Sequence, residues 1–360
     1  MIKPARSASL VLLFCTLGAA HGKDPHQTVE RPHYAAQILL IYDMEGLTDV
    51  TTGGTTFGSE DYVNARLSLA ADVNAAIEGL LRAGAKEVVL TDGHGSGNPE
   101  PDYPLERLPA GARHELREQP YDPYLAVLDS EYSAVVAIGM HSGSGSAGFL
   151  AHTVLPHTRW IANGFDMNEP MIIAAFAAES GVPLILVTGD DILRAEVERF
   201  SPKTKYVTVK LAKSYGSAEA RPRGEVTNEI QLAAADAFRE RGIIPAWRAL
   251  TDSSIDNQFG YRTQAQTQLA SLFPHVTVLH DKAVGLRTHD LLDGYLTFRA
   301  LASYTFLAHM RWIVETIHEL DDGEDILRRI GERMPPSGER TFAPTERRLE
   351  SGDFATHGSK

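Results

Sequence analysis

The sequence predicts an α/β fold: an open, mostly parallel sheet flanked by helices, with a smaller second α/β domain after it. Two observations predict it. Four short stretches, residues 38–41, 87–90, 134–138 and 183–187, are almost continuously apolar rather than alternating, as expected of parallel strands buried on both faces. A helical spacing of apolar residues separates the first two, so strand, helix and strand follow one another as a βαβ unit.

Residues 38–41 form the first strand. The helix after it is marked by Leu69, Val73, Ile77 and Leu80, spaced 4, 4 and 3 apart, and ends at Gly84. Residues 87–90 and 134–138 supply the next two strands, a second helix covers residues 171–180 before Gly181, and residues 183–187 supply the fourth strand. After Pro202 the pattern changes. Residues 206–209 read as a strand, 230–241 as a helix ending at Gly242, and 276–279 as another strand. Leu291, Tyr295, Phe298, Ala302, Phe306 and Met310 then recur at 4, 3, 4, 4 and 4, the mark of a long amphipathic helix. The expected organisation is a first domain over residues 36–200, a second over 201–320, and a short helix followed by a mostly disordered polar tail over 321–360.

The chain of 360 residues carries 34 basic against 47 acidic side chains, a net charge of −13. Such a surface repels phosphate backbones, and no Lys/Arg stripe reverses it locally, so nucleic acid is not an expected partner. Residues 1–22 stand apart: Lys3 and Arg6 precede an apolar run over residues 10–14, and the small residues Gly18, Ala19, Ala20 and Gly22 follow. That is the layout of a secretory signal peptide, which predicts an exported protein, periplasmic or secreted, whose mature chain begins near Lys23. Cys15, the single cysteine, would leave with it. As a lipoprotein anchor it would need a small residue before it, where Phe14 stands. No other segment approaches the roughly 20 apolar residues of a membrane span.

Chemistry gathers where the strands end. Asp43-Met44-Glu45-Gly46 follows the first, Asp92-Gly93-His94-Gly95 the second, Met140-His141-Ser142-Gly143 the third, and Gly189-Asp190-Asp191 the fourth. In an open parallel sheet these points share the carboxyl edge, where ligands bind. Each residue alone has a plainer reading, as turn former, helix cap or core histidine. Together, two carboxylates and two imidazoles make a ligand set for zinc and similar divalent ions. Asp43 and Glu45, two apart on extended chain, point to the same side. A binuclear site would need a bridging carboxylate and one or two more ligands, which residues 163–169 offer in Asp166 and Glu169. Asp92 is a candidate to hold a ligand imidazole, and His114 and His157 read as structural. The Gly/Ser-rich residues 142–148 read equally as a mobile lip over the site or as a plain connector.

These residues also carry a resemblance. Asp43-Met44-Glu45-Gly46, Asp92-x-His94 with Asn98 four residues on, Gly139-x-His141, residues 148–153, Asn163 six residues before Glu169, and Gly189-Asp190-Asp191 occur in the order and spacing of the zinc-dependent D-aminopeptidases of the DppA type. The chain resembles that family over residues 37–308, most closely before 192, and departs from it at the N-terminus, beyond 310 and over 253–274. The resemblance implies two divalent ions, zinc in the family, with Asp43 bridging them. It implies Glu45 and His141 as ligands of one ion, and His94 and Glu169 as ligands of the other. It implies His152 as the catalytic histidine, nucleophile or base, short peptides with an N-terminal D-residue as substrates, and a ring-like homo-oligomer. Two alternatives stand beside this reading: a non-catalytic exported peptide- or metal-binding protein, and a binuclear hydrolase of phosphate esters. A Ser-His-Asp hydrolase is disfavoured, because Ser144 lacks the strand-turn-helix setting of a nucleophile elbow.

Overall fold

In the computed structural model, residues 36–115, 122, 124–125 and 132–333 are described. The expected signal peptide and the end of the tail lie outside them. Each apolar stretch of the sequence becomes a buried strand: β1 (Gln37–Tyr42), β2 (Glu87–Asp92), β4 (Ala134–Ile138) and β7 (Leu184–Asp190). With β3 (Ala112–His114), β8 (Lys205–Ser214) and β9 (Ser217–Ala220) they form one sheet in the order β3-β2-β1-β4-β7-β8-β9. All neighbours run parallel except β8 and β9, an antiparallel pair at one edge.

Apolar continuity along β1 has a simple cause. Ile38, Leu40 and Tyr42 face a core shared with Leu69, Val73 and Ile77 of α1 (Tyr62–Arg82) and Ile230 and Phe238 of α4 (Arg223–Glu240). Leu39 and Ile41 face the opposite core, built with Ile172 and Phe176 of α2 (Glu169–Glu179) and with the second sheet.

That second sheet is antiparallel, in the order β11-β12-β10-β5-β6: β5 (Thr158–Ala162), β6 (Phe165–Asp166), β10 (Ile255–Tyr261), β11 (Thr277–His280) and β12 (Ala283–Thr288). The expected division at residue 200 is therefore corrected. Residues 205–240, assigned in advance to a second domain, extend the first sheet, because β8 pairs in parallel with β7 and α4 packs beside α1. Conversely β5 and β6, inside the expected first domain, belong to the second sheet. Pro202 marks only the turn between α3 (Asp191–Phe200) and β8.

After the short α5 (Gln264–Ala270), the long helix, α6 (Leu291–His318), buries Leu291, Tyr295, Phe298 and Ala302 as their spacing predicts. Phe306 and Met310 do not follow: 28 residues make a rod of about 42 Å, and its second half outruns the core. A short helix, α7 (Gly323–Arg333), comes after it.

Register aligns the strand ends. Tyr42 stands opposite Asp92 on one side and Ile138 on the other, so the residues after β1, β2 and β4 emerge side by side. The Gly46 N–H donates to the Gly139 carbonyl at 2.7 Å. Gly139 has φ +77°, and a Cβ there would meet the Asp43 carbonyl oxygen at 2.2 Å. A Cβ on Gly46 would meet the Met140 oxygen at 1.9 Å. Only glycine lets these two turns touch, and that contact sets Asp43 beside His141.

Candidate metal centre

Six side chains converge at this edge: Asp43, Glu45, His94, His141, His152 and Glu169. Their coordinating atoms form two groups, Asp43–Glu45–His94 and His141–His152–Glu169, each with its atoms within 4.8 Å of one another. Asp43 joins them, since its Oδ2 lies 3.3 Å from His141 Nε2. Asp43 and Glu45 keep 2% and 6% of their exposure, His141 and Glu169 1% and 3%.

Each side chain is oriented by a second contact. His94 places Nε2 3.1 Å from Glu45 Oε1, while its Nδ1 lies 2.9 Å from Asp102 Oδ2. The carboxylate that orients this imidazole is thus Asp102. Asp92, the expected candidate, instead accepts from the backbone N–H groups of His94 and Asp102 and so shapes the turn. His141 Nδ1 donates to the Ser142 carbonyl at 3.1 Å, which aims Nε2 at Asp43 and at Glu169 Oε1, 3.5 Å away. Glu169 opens α2 behind the cap Asn168 and accepts from Tyr124 Oη at 2.6 Å and Val154 N at 2.8 Å. Val154 has φ +62° and Leu150 φ +49°, left-handed conformations that branched or bulky residues rarely adopt. Between them His152 stacks on His141, ring centroids 3.9 Å apart, with Nδ1 on the Leu150 carbonyl at 2.8 Å and Nε2 3.9 Å from Glu169.

The structure groups these side chains differently from the pairing implied by the resemblance. Glu45 groups with His94 and His141 with Glu169, because β1 lies between β2 and β4 and each histidine meets the carboxylate on its own side. Asp166 is not at the centre: it sits on β6 in a two-pronged ion pair with Arg159. His114 bonds Tyr42 Oη and His157 the Ala302 carbonyl, both structural roles. Residues 142–148 are tied down, with Gly143 N donating to Glu196, Ser144 Oγ to the Thr158 carbonyl and Ser146 Oγ to Ser142 Oγ.

Electrostatics favour a cation here. Burial, then the charges of Glu45 and Glu169, drive the Asp43 carboxyl well above its ordinary pKa. Burial also pushes Glu169 up, but His141, His152 and the Tyr124 hydroxyl outweigh it and bring it down to about 2. Glu45 resists burial in the same way and falls well below its ordinary value, chiefly through His94. Burial opposes charge on His94 and His141, yet Glu45 and Asp102 for the first, and Glu169 and Asp43 for the second, raise both well above 6.5. His152 goes the other way, lowered by burial and by the charge of His141. Two buried atoms, Glu45 Oε2 and His141 Nε2, have no hydrogen-bond partner among the described residues. Unpartnered buried atoms on a carboxylate and an imidazole, each within a group of potential ligands, are what divalent metal ligands require.

The sequence profile of the D-aminopeptidases (peptidase family M55) matches residues 37–300. The chain belongs to this family. The D-aminopeptidase fold is seen again in a solved structure described as the Zn-dependent D-aminopeptidase DppA from Bacillus subtilis, a self-compartmentalizing protease, with a TM-score of 0.69 at 19% identity over 75% of this chain and 98% of the other. Among curated proteins none matches. As a D-aminopeptidase-family hydrolase the chain has its strand-edge cluster in a cavity of about 450 Å³, which Thr55, Ser96, Tyr124 and Arg299 also line. Asp102, Tyr124, Lys210 and Arg299 escaped the sequence reading, and no spacing rule would have found them.

Proposed function

We propose that this chain is an exported zinc aminopeptidase that binds two metal ions and removes the N-terminal residue, a D-amino acid, from short peptides. The observation that carries the two-ion reading is the pair of three-residue groups joined by Asp43. Asp43, Glu45 and His94 would hold one ion and Asp43, His141 and Glu169 the other. Bound there, the ions would polarise the scissile carbonyl and lower the pKa of a water molecule.

The chain's own groups do the rest. His152 donates through Nδ1 to the Leu150 carbonyl, which leaves the Nε2 lone pair toward the cavity, and its lowered pKa keeps that lone pair available near neutral pH. These are the properties of a general base. The cavity's size suits a short peptide rather than a folded protein.

Zinc is supported by the zinc dependence of the structural neighbour, and assembly into a homo-oligomer by that neighbour's being a self-compartmentalizing protease. The second half of α6, with Tyr304, Phe306, Leu307 and Trp312 exposed, offers a surface for that assembly. Export rests on residues 1–22, and a native N-terminus near Lys23 outside the cytoplasm is the expected outcome of N-terminal sequencing. The function is tested by hydrolysis of D-alanyl and L-alanyl amides by metal-stripped and zinc-restored enzyme. Zinc-dependent cleavage of the D-isomer supports the reading, and equal rates with and without metal oppose it.

A further inference from the structure

The cavity is charged asymmetrically. Around the six-residue cluster it is lined by the carboxylates Asp43, Glu45 and Glu169, while Arg299 from α6 lines it as a fixed cation. Arg299 Nε lies 3.7 Å from Asp122 Oδ2, beyond ordinary hydrogen-bond length. Asp122 is engaged elsewhere, accepting from Tyr295 Oη on both oxygens at 2.9 and 2.8 Å. Arg299 makes no hydrogen bond among the described residues, and its side chain is 39% exposed. A guanidinium near an anchored carboxylate but not consumed by it keeps its two-pronged face free for another carboxylate.

We propose that Arg299 binds the free C-terminal carboxylate of the substrate, so that the enzyme favours short peptides that end in a free acid. This rests on the aminopeptidase reading above. A zwitterionic dipeptide is about 7 Å long when extended, short enough for a cavity of about 450 Å³. Its carboxylate matches the Arg299 side of that cavity. Longer peptides carry that carboxylate out of reach, and amidated ones lack the charge.

The test uses two ligands that cannot be cleaved, D-alanyl-D-alanine with –CH2–NH– in place of the peptide bond, as the free acid and as the carboxamide. Calorimetric binding to zinc-loaded wild-type protein should favour the acid by roughly 10- to 100-fold, the range of a charge-assisted contact. Arg299→Met, which keeps the aliphatic stem, should bring the two affinities together, and Arg299→Lys should restore part of the preference. In kinetics Arg299→Met should raise KM for D-alanyl-D-alanine by a much larger factor than KM for D-alanine amide. A wild-type enzyme that binds acid and amide alike, or binds neither, or an Arg299→Met protein that keeps the preference, overturns the proposal. A wild-type enzyme that hydrolyses no D-alanyl substrate overturns the aminopeptidase reading instead, and the binding ratio still reports on Arg299.

Discussion

At the scale of single residues, the two-ion proposal makes Asp43 a group shared by both ions and the others groups that serve one. Asp43 lies within reach of both sets of ligands, whereas Glu45 and His94 belong to one. Asp43→Ala is therefore expected to lose close to two equivalents of zinc and Glu45→Ala or His94→Ala nearer one, measured by elemental analysis after dialysis; equal losses would contradict the shared role. His152 is different, since the proposal draws the coordinating atoms from the other five side chains although His152 lies in the same group as His141 and Glu169. His152→Ala should stay folded and metal-loaded while kcat on D-alanine amide falls by a factor of about 10²–10⁴, the usual contribution of a general base. Burial and neighbouring positive charge lower the His152 pKa. A base must be unprotonated, so wild-type kcat should rise with pH along a limb centred below the ordinary histidine value of about 6.5 and level off by neutrality. Metal loss from His152→Ala would make it a ligand instead.

At the scale of elements, the turn after β1 is held from across the sheet. Lys210 on β8 is fully buried, donates to the Glu45 and Val50 carbonyls, and lies 4.5 Å from the centre of the Phe149 ring. Its pKa is lowered to about 7 by burial, with nearby carboxylates only partly offsetting this. The sign follows: the unfolded chain holds this proton up to the ordinary lysine range near pH 10.4, whereas the folded protein releases it near 7. Between those values the unfolded state binds more protons, so stability from this group grows as pH rises from about 7 toward 10. Lys210→Met should remove that growth, seen as a widening gap between the two proteins in urea unfolding across the same window. It should also weaken zinc binding, because it releases the turn that carries Glu45. A gap that stays constant with pH would show that Lys210 does not titrate in this window.

At the scale of the molecule, α6 does two jobs. Its first half closes the core through Tyr295 and Phe298 and brings Arg299 to the cavity; its second half exposes Tyr304, Phe306, Leu307, Trp312 and Val314. Leu307 is 76% exposed, a costly position for leucine unless something covers it. Leu307→Glu combined with Trp312→Glu should lower the mass measured by light scattering, while zinc content per chain stays the same. An unchanged mass would place the subunit contact elsewhere.

What the sequence determined by itself is the part of the protein whose physics is local. The strands at residues 38–41, 87–90, 134–138 and 183–187 are legible because burial on both faces demands unbroken apolar runs, and Asp43, Glu45, His94, His141 and Glu169 because they stand at or near the ends of elements; His152, inside a loop, was reached only through the family resemblance. Tertiary structure decided the rest. The second sheet was hidden because β10 turns Asn257 inward, where it accepts from Trp160 Nε1 at 2.8 Å, so its alternation looks polar until its partner 97 residues away is present. The fate of residues 205–240 depended on which edge β8 could pair with, a choice made by packing of α4 on α1. For the same reason the grouping of side chains, Glu45 with His94 and His141 with Glu169, followed from strand order, and Asp102, Tyr124, Lys210 and Arg299 reached the site from segments whose own sequence carries no trace of it. Contacts between distant segments are set by packing, which no local spacing records.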